Sequence, residues 1–255
     1  MPRDVLRELI ANTRTLLSAG YYEDADSGTP GPSLVRALRR HPLFPIIAEV
    51  KLASPSHATL SPHGPSELID AYVRGGAAAF SVLTEPNYFR GSLDNLVLAS
   101  GTGLPVLMKD FVIDEMQLRA AAGRGASSIL LIQGVFSRGL AHGRDELIEL
   151  ARSYGLETVL EAGDLAELEE AQKSEADIMG INQRDLATMN VHAGLAERLL
   201  EYYDGDRPAV VMSAIENPAQ VRRLRDRGAS AVLIGSSLSS AVDPKAALDA
   251  LAVSR

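Results

Sequence analysis

Residues 46–56 read Ile-Ile-Ala-Glu-Val-Lys-Leu-Ala-Ser-Pro-Ser, and their pattern decides the fold. The segment begins as an apolar strand and ends in a polar turn. Side chains two residues apart in a strand share a face, so Glu49 and Lys51 point the same way where the apolar run ends. Charges in such a place are costly unless they are paired or functional. Taken alone, the two residues fit a structural ion pair as well as a functional site, and the other strand ends decide between these readings.

Apolar runs of the same kind recur along the chain and alternate with amphipathic segments of helical spacing. Runs this apolar are typical of parallel strands that are covered on both faces. Eight strands alternating with helices predict an α/β protein with the (β/α)8 TIM barrel fold. The predicted strands are residues 45–50, 77–83, 105–108, 128–132, 157–160, 177–181, 209–212 and 231–234.

The first 44 residues differ from this repeating part. Apolar residues recur there at helical spacing between Val5 and Leu17, and residues 34–38 predict a second, short helix. We therefore expect a single domain over residues 1–255, in which residues 1–44 form a helical extension packed on the barrel.

Composition excludes several classes of function. The chain has 255 residues, a net charge of −8 and no Cys, so disulfides, thiolate metal sites and Cys nucleophiles are excluded and nucleic-acid binding is not supported. Charged residues occur throughout Met1 to Leu17 without an apolar core, so no signal peptide is expected, and no apolar stretch of about 18 residues is present to form a membrane span. A cytoplasmic protein is expected. The five His residues are scattered without metal-ligand spacing, so we expect no metal: His41, His57, His63, His142 and His192.

Polar residues end nearly every predicted strand, which is where TIM barrels place their chemistry. This recurrence favours a functional site over isolated ion pairs. The residues at the eight strand ends, in chain order, are Glu49 and Lys51, Ser81, Lys109, Leu131, Glu161, Asn182 and Arg184, Ser213 and Ala214, and Gly235 and Ser236.

The residue types at these ends predict an acid–base site with a phosphate group nearby. Lys51 and Lys109 are candidates for a general acid, a Schiff-base nucleophile or an anion clamp, and Glu161 opposite them is a candidate base. A structural ion cluster is the alternative. Gly235 and Ser236 form either an ordinary turn or, with the loop after the seventh strand, the phosphate site common in barrels.

Aromatic residues are scarce in this sequence, at 5% of the chain, and Trp is absent. Phe89 and Phe111 follow the second and third predicted strands, on the catalytic rim. They can sandwich an aromatic group of a substrate. Arg184 can bind a carboxylate there, although a local pair with Asp185 is the alternative.

Five motifs in chain order resemble the indole-3-glycerol phosphate synthase family of tryptophan biosynthesis. They read IAEVK with ASPS, SVLTE with YF and GS, PVLMKDF, GINQRDL and IGSSL. The resemblance covers nearly the whole chain, and the first and third motifs together are specific to this family among phosphate-binding barrels. It implies ring closure of an anilino-deoxyribulose phosphate with loss of carbon dioxide and water, without a cofactor or a metal.

The resemblance also implies roles for individual residues. Lys109 matches the general acid, Glu161 the base and Lys51 a second group that contacts the substrate and assists. The remaining matches are Glu49 and Asn182 as positioning groups, Ser54, Gly235 and Ser236 at the phosphate, and Phe89, Phe111 and Leu131 around the aromatic ring. Arg184, Ser213 and Ala214 are expected to bind substrate as well.

The sequence departs from the family pattern at two places. Met212 replaces a Glu and Ala214 a Gly after the seventh strand, and His57-Ala58 replace a basic residue and Gly. Two alternatives therefore stay open: a related phosphosugar isomerase or aldolase, and a binding barrel with impaired activity. The expected partner is a phosphorylated small molecule, and the expected state is a monomer or weak dimer in contact with other enzymes of the pathway.

Overall fold

The computed structural model describes residues 4–23, 28–55 and 59–255, so Ser56 of the first motif and the two residues after it, His57 and Ala58, lie outside the described residues. Eight parallel strands form a closed barrel, in which each strand pairs with the next and the last pairs with the first. The strands are β1 (Ile46–Val50), β2 (Ala79–Leu83), β3 (Val106–Lys109), β4 (Ser128–Ile132), β5 (Glu157–Ala162), β6 (Ile178–Asn182), β7 (Ala209–Met212) and β8 (Ala231–Ile234).

Helices separate the strands and complete the predicted TIM barrel. They are α1 (Val5–Ser18), α2 (Leu34–Arg40), α3 (Pro65–Arg74), α4 (Pro86–Phe89), α5 (Asp94–Ser100), α6 (Glu115–Gly123), α7 (Gln133–Ser137), α8 (Arg144–Ser153), α9 (Leu165–Gln172), α10 (Leu195–Tyr202), α11 (Pro218–Asp226), α12 (Ser236–Ser239) and α13 (Pro244–Leu251). The sequence did not predict α4, α5, α7 and α12; three of these have only four or five residues, too few to show periodicity. Within the described residues, no helix is long and apolar enough to cross a membrane.

Side-chain caps begin several of the helices that cover the barrel. Asp114 accepts a hydrogen bond from the backbone N–H of Met116 at the start of α6, and Asp164 accepts one from Glu167 at the start of α9. These caps satisfy backbone donors that have no partner inside the helix. Helix α9 begins directly after β5, so this start also fixes the loop that leaves the mouth of the barrel.

Alternation along the strands divides the buried apolar residues into two layers. Ile47, Leu107 and Leu130 belong to the cluster inside the barrel. Leu131 belongs to the cluster between the strands and the surrounding helices, and it is fully buried there. Because neighbouring residues of a strand point to opposite faces, one step of register decides whether a side chain reaches the barrel interior.

The helical extension contacts both ends of the barrel. At the amino end of the strands, Ser33 and Val35 donate hydrogen bonds to Glu157, the first residue of β5, so α2 covers this end. At the opposite end, the backbone N–H of Val5 in α1 donates to the carbonyl of Ala187, at 3.0 Å, in the loop after β6. The chain before the barrel therefore reaches the end of the strands where chemistry is expected.

Candidate active site

A cavity of about 510 Å³ lies at the carboxyl ends of the strands, and we call it the main cavity. It brings together most of the residues that the sequence singled out, from the ends of six different strands. The predicted site residues that line it are Glu49, Lys51, Ser54, Phe89, Lys109, Phe111, Asn182, Arg184, Ser213, Ala214, Gly235 and Ser236.

Glu49 and Lys51 form one wall of the main cavity. The Lys51 Nζ atom lies 3.9 Å from Glu49 Oε1, and Ser81 Oγ donates to Glu49 Oε2 at 3.4 Å. Burial lowers the pKa of Lys51, and the positive charges of Lys109 and Arg184 lower it further, whereas Glu49 opposes this. Lys51 therefore loses its proton more readily than an exposed lysine and is suited to proton transfer.

Gly235 leaves the space that the Glu49 carboxylate occupies. A Cβ atom built on Gly235 would lie 2.2 Å from Glu49 Oε1, which is far inside van der Waals contact. A side chain at residue 235 would therefore displace the carboxylate from the wall. The end of β1 can therefore pack closely against the end of β8 because residue 235 has no side chain.

A hydrogen-bonded chain forms the opposite wall. Asn182 Nδ2 donates to Glu161 Oε1 at 2.8 Å, and Ser213 Oγ donates to Asn182 Oδ1 at 2.7 Å. The Arg184 backbone N–H donates to the same Asn182 oxygen at 2.9 Å. Asn182 is thereby held in one orientation, with its amide hydrogen directed at the carboxylate of Glu161.

Glu161 is buried, with 2% of its surface exposed, and its Oε2 atom has no hydrogen-bond partner among the described residues. Burial raises the pKa of Glu161, and Glu49 raises it further, whereas Lys109 and the bond from Asn182 lower it. A carboxylate with a raised pKa is a stronger base than an exposed one. Buried acceptors without a partner are rare and are often found at functional sites.

The structure separates two predicted residues from the main cavity. Glu161 lines a neighbouring cavity of about 460 Å³ between the loops after β5 and β6, which we call the side cavity, and reaches the main one through Asn182. Leu131 was predicted to contact the substrate ring, and this prediction is wrong because its side chain faces the helices. Its neighbours Leu130 and Ile132 face inward and line the main cavity instead.

Apolar side chains cover one side of the main cavity. The rings of Phe89 and Phe111 lie 6.1 Å apart between centroids, with a tilt of 37°. Leu9 of α1 and Leu233 of β8 also line the cavity, and neither was predicted to do so. Alternation from Gly235 would have indicated Leu233, whereas the periodicity of α1 does not say which of its apolar residues reaches the mouth.

Asp110, in the PVLMKDF motif, is the centre of a buried polar cluster and also lines the main cavity. It accepts hydrogen bonds from Thr84 Oγ1 at 2.5 Å, Tyr22 OH at 3.0 Å and the Phe111 backbone N–H at 2.8 Å. Burial raises the pKa of Asp110 to about 6, although these hydrogen bonds lower it. The cluster ties the segment after α1 to the loop that carries Phe111.

We expect Tyr22→Phe to lower the free energy of unfolding by about 1–3 kcal/mol, and by more at about pH 8 than at about pH 5. Above a pH of about 6 the Asp110 carboxylate is ionised. The hydrogen bond from Tyr22, which the variant lacks, is then made to a charged acceptor and is worth more. In the parent chain, the raised pKa of Asp110 means that its contribution to stability is full below the unfolded pKa and is lost as the pH rises through about 6. Urea unfolding at both pH values measures the effect.

Tyr21→Phe is the matched control for this prediction. Its hydroxyl donates at 2.8 Å to the backbone carbonyl of Thr84, which does not titrate. The cost of Tyr21→Phe is therefore expected to be the same at both pH values. An equal pH dependence of the two variants would contradict the role assigned to Asp110.

Residues 213 and 214 adopt an unusual backbone conformation after β7. Ser213 has φ 73° and Ala214 has φ 55°, in the left-handed region that favours glycine. Both residues line the main cavity next to Ser236 and Ser237. Ser237 Oγ donates to the carbonyl of Ile215 at 3.1 Å, which joins the loops after β7 and β8.

We expect Ala214→Gly to keep or raise the free energy of unfolding, because glycine relieves a left-handed alanine that costs about 1–2 kcal/mol. Ala193→Gly, at an exposed alanine whose φ is not positive, is expected to lower it by about 0.5–1 kcal/mol. The two variants lose the same methyl group, so the difference between them reports the backbone strain. Urea unfolding measures both, and equal losses would contradict the strain at Ala214.

Comparisons with known proteins show which family the sequence matches. The family model described as indole-3-glycerol phosphate synthase matches residues 7–251. The proteins of that name from Azospirillum brasilense and Mycolicibacterium smegmatis are 35% and 34% identical to this chain. The match to the Azospirillum protein covers 97% of this chain and 98% of that protein. The match to the Mycolicibacterium protein covers 95% of this chain and 89% of that protein.

Solved structures of lower identity share the fold. A thiamine phosphate pyrophosphorylase from Pyrococcus furiosus superimposes with a TM-score of 0.61 at 18% identity, over 84% of this chain and 95% of its own. The N-acetylmannosamine-6-phosphate 2-epimerase from Clostridium perfringens has a TM-score of 0.61 at 17% identity, over 78% and 89%. The barrel is thus shared with other proteins, whereas the match along the sequence is to one family: the chain belongs to the indole-3-glycerol phosphate synthases, the carboxy-lyases of tryptophan biosynthesis.

Proposed function

We propose that the main cavity binds 1-(2-carboxyphenylamino)-1-deoxyribulose 5-phosphate and closes its indole ring, with loss of carbon dioxide and water. The observation that supports this most is the placement of Lys51 and Lys109 on one cavity, with the Glu161–Asn182 pair at its wall. The reaction needs an acid at a carbonyl oxygen, a later acid at a hydroxyl and a base at a carbon. These residue types provide all three.

Lys109 is the proposed general acid of ring closure. The ring carbon attacks the sugar carbonyl, and the oxygen becomes a hydroxyl only if a proton reaches it. Lys109 ends β3 on the cavity, with a register partner in Leu83 of β2, and its charge acts on both Lys51 and Glu161. A fixed ammonium group at this place stabilises the developing oxyanion before it donates.

Lys51 is proposed to bind the substrate carboxylate or hydroxyl and to assist proton transfer in the later step. Its ammonium is held by Glu49 and is repelled by Lys109 and Arg184. A negatively charged substrate group between these cations relieves that repulsion. Loss of carbon dioxide removes this negative charge again.

Glu161 is the proposed base of the dehydration step, and Asn182 and Glu49 are proposed as positioning groups. Removing a proton from the sugar carbon lets the neighbouring hydroxyl leave as water and makes the indole aromatic. Its raised pKa makes Glu161 suited to accept that proton. The bond from Asn182 at 2.8 Å fixes the Oε1 atom and so orients the carboxylate for the reaction.

The two ends of the substrate are proposed to bind at opposite sides of the main cavity. Phe89 and Phe111 offer an apolar wall for the carboxyphenyl ring, with Leu130, Ile132 and Leu233 in place of Leu131. Ser54, Ser213, Ala214, Gly235 and Ser236 are proposed to bind the phosphate. Arg184 carries a positive charge between the two ends.

Met212 is the departure that bears most on this proposal. It is 1% exposed, lines the main cavity and lies against Gly180, where an added Cβ would be 3.1 Å from its Cε atom. An apolar group thus fills the place of a family carboxylate. This is the observation that favours a second candidate, a barrel that binds the substrate and turns it over slowly.

No cofactor or metal is part of the proposal, because side chains supply each proton transfer. Among residues 4–23, 28–55 and 59–255, no group of three or more His, Cys, Asp or Glu residues is arranged to hold a metal ion. For the protein in the cell we propose a cytoplasmic location, a monomeric or weakly dimeric state and contacts with other enzymes of the pathway.

A direct turnover assay tests the proposal. The full chain is mixed with the anilino-deoxyribulose phosphate, and the fluorescence of the indole product is recorded together with calorimetric binding. Product formation supports the synthase, and binding without product supports the second candidate. Borohydride trapping of a substrate adduct on Lys51 or Lys109, without indole fluorescence, would support a Schiff-base aldolase instead.

A further inference from the structure

The side cavity contains a second carboxylate close to the proposed base. Glu167 of α9 lines it together with Glu161, and its carboxylate accepts a hydrogen bond from the Gly163 backbone N–H at 2.7 Å. Gly134 leaves room for this carboxylate, because a Cβ built on Gly134 would lie 2.4 Å from Glu167 Oε1. Arg184 lines both cavities and marks the partition between them.

Glu161 needs an outlet for the proton that it takes in each turnover. Its carboxylate is almost completely buried, and Oε2 has no partner among the described residues. The side cavity, of about 460 Å³, is large enough to hold water beside it, and its rim includes the exposed residues His192 and Arg198. Water can therefore connect the buried base to the solvent on the side away from the substrate.

We propose that Glu167 relays to solvent, through water in the side cavity, the proton that Glu161 removes from the substrate. This inference rests on the proposed function and extends it to a residue that does not touch the substrate. Glu161 takes a proton from the sugar carbon, and the electron pair of that bond forms the new double bond. The hydroxyl leaves as water with a proton from a lysine ammonium, and Glu167 passes the proton on Glu161 to the solvent. The lysine amine takes a proton back from the solvent, so the lysine and both carboxylates return to their starting state.

The charges around Glu167 suit this role. The pKa of Glu167 is raised to about 7: burial is the largest cause, the negative charges of Asp164 and Glu161 add to it, and the Gly163 hydrogen bond and Arg138 oppose it. A group with this pKa accepts and releases protons equally well near neutral pH. The titratable and charged groups that face it across the side cavity are Glu161 of β5, Asp164, Arg138 after α7, Arg184, Asp185 and His192 after β6, and Arg198 of α10.

The ordinary explanation of Glu167 is a helix cap. It stands in the first turn of α9, and its bond to Gly163 satisfies a backbone donor. Glu67 of α3 makes a similar contact, to the backbone N–H of the N-cap residue Gly64 at 2.8 Å, but at an exposed place away from both cavities. Both glutamates therefore accept a hydrogen bond from a backbone N–H at the start of a helix, but Glu167 lines the side cavity and Glu67 does not.

The test compares Glu167→Gln with Glu67→Gln in the full chain. We expect Glu167→Gln to lower kcat by about tenfold near pH 8, to leave KM unchanged and to remove an inflection near pH 7 from the pH profile. Glu67→Gln is expected to keep the parent profile. Added imidazole, a diffusible base, is expected to restore kcat in Glu167→Gln as its concentration rises and to have no effect on the parent.

Two outcomes would overturn the relay. One is an unchanged pH profile of kcat and kcat/KM in Glu167→Gln. The other is a loss of activity that imidazole does not restore, because a capping role predicts lower stability without buffer rescue. A parent chain without turnover would instead count against the proposed function, so the two failures are distinguishable.

Discussion

Replacing Lys109 by Met is expected to lower kcat by about 10³-fold, which corresponds to about 4 kcal/mol of transition-state stabilisation. The variant keeps the apolar stem of a partly buried side chain and removes only the ammonium group. That group supplies both the proton and the positive charge at the developing oxyanion in the proposed mechanism. Steady-state kinetics with the anilino-deoxyribulose phosphate measures the loss, and circular dichroism establishes that the barrel is intact.

Two other lysines serve as controls for this prediction. Lys173, on the outside of the barrel, pairs with Glu170 at 2.7 Å, and Lys173→Met is expected to leave turnover unchanged. Lys51→Met is expected to raise KM as well as to lower kcat, since Lys51 is proposed to bind the substrate carboxylate. Turnover of Lys109→Met within about tenfold of the parent would contradict its role as the general acid.

Much of the site was predictable because a barrel places the ends of its strands together. Once eight apolar runs are recognised, the polar residues that end them must meet at one mouth. Glu49, Lys51, Lys109 and Asn182 do so in the main cavity. This prediction depended on which residue types end the strands and on the order of the strands along the chain.

Other features depend on one step of register or on contacts distant in sequence. Leu131 was placed on the wrong face because an uninterrupted apolar run such as β4 does not show which residues point inward. Neither the side cavity at Glu161 nor the contact of Leu9 with the mouth could be predicted, since both depend on how loops and α1 pack. Nothing in a single sequence indicates that Asp110 receives a hydrogen bond from Tyr22, 88 residues away.

Replacing Glu161 by Gln is expected to lower kcat by about 10²–10⁴-fold and to leave substrate binding nearly unchanged. Glutamine keeps the shape of the side chain and an oxygen that accepts the bond from Asn182. It lacks the basicity that the proposed dehydration step requires. The dehydration intermediate should accumulate in this variant, and rapid quenching followed by mass spectrometry measures it.

The same variant is expected to be at least as stable as the parent at about pH 8, which separates a functional carboxylate from a structural one. Because the pKa of Glu161 is raised, its contribution to stability is present at low pH and is lost as the pH rises through the folded pKa. A neutral amide avoids the cost of burying the charge. Glu157→Gln is the matched control on the same strand: Glu157 accepts bonds from Ser33 and Val35, so its replacement is expected to lower stability by about 1–3 kcal/mol with unchanged turnover. If Glu161→Gln instead lost stability at pH 8 while keeping its turnover, Glu161 would be a structural ion partner of Lys109 and not the base.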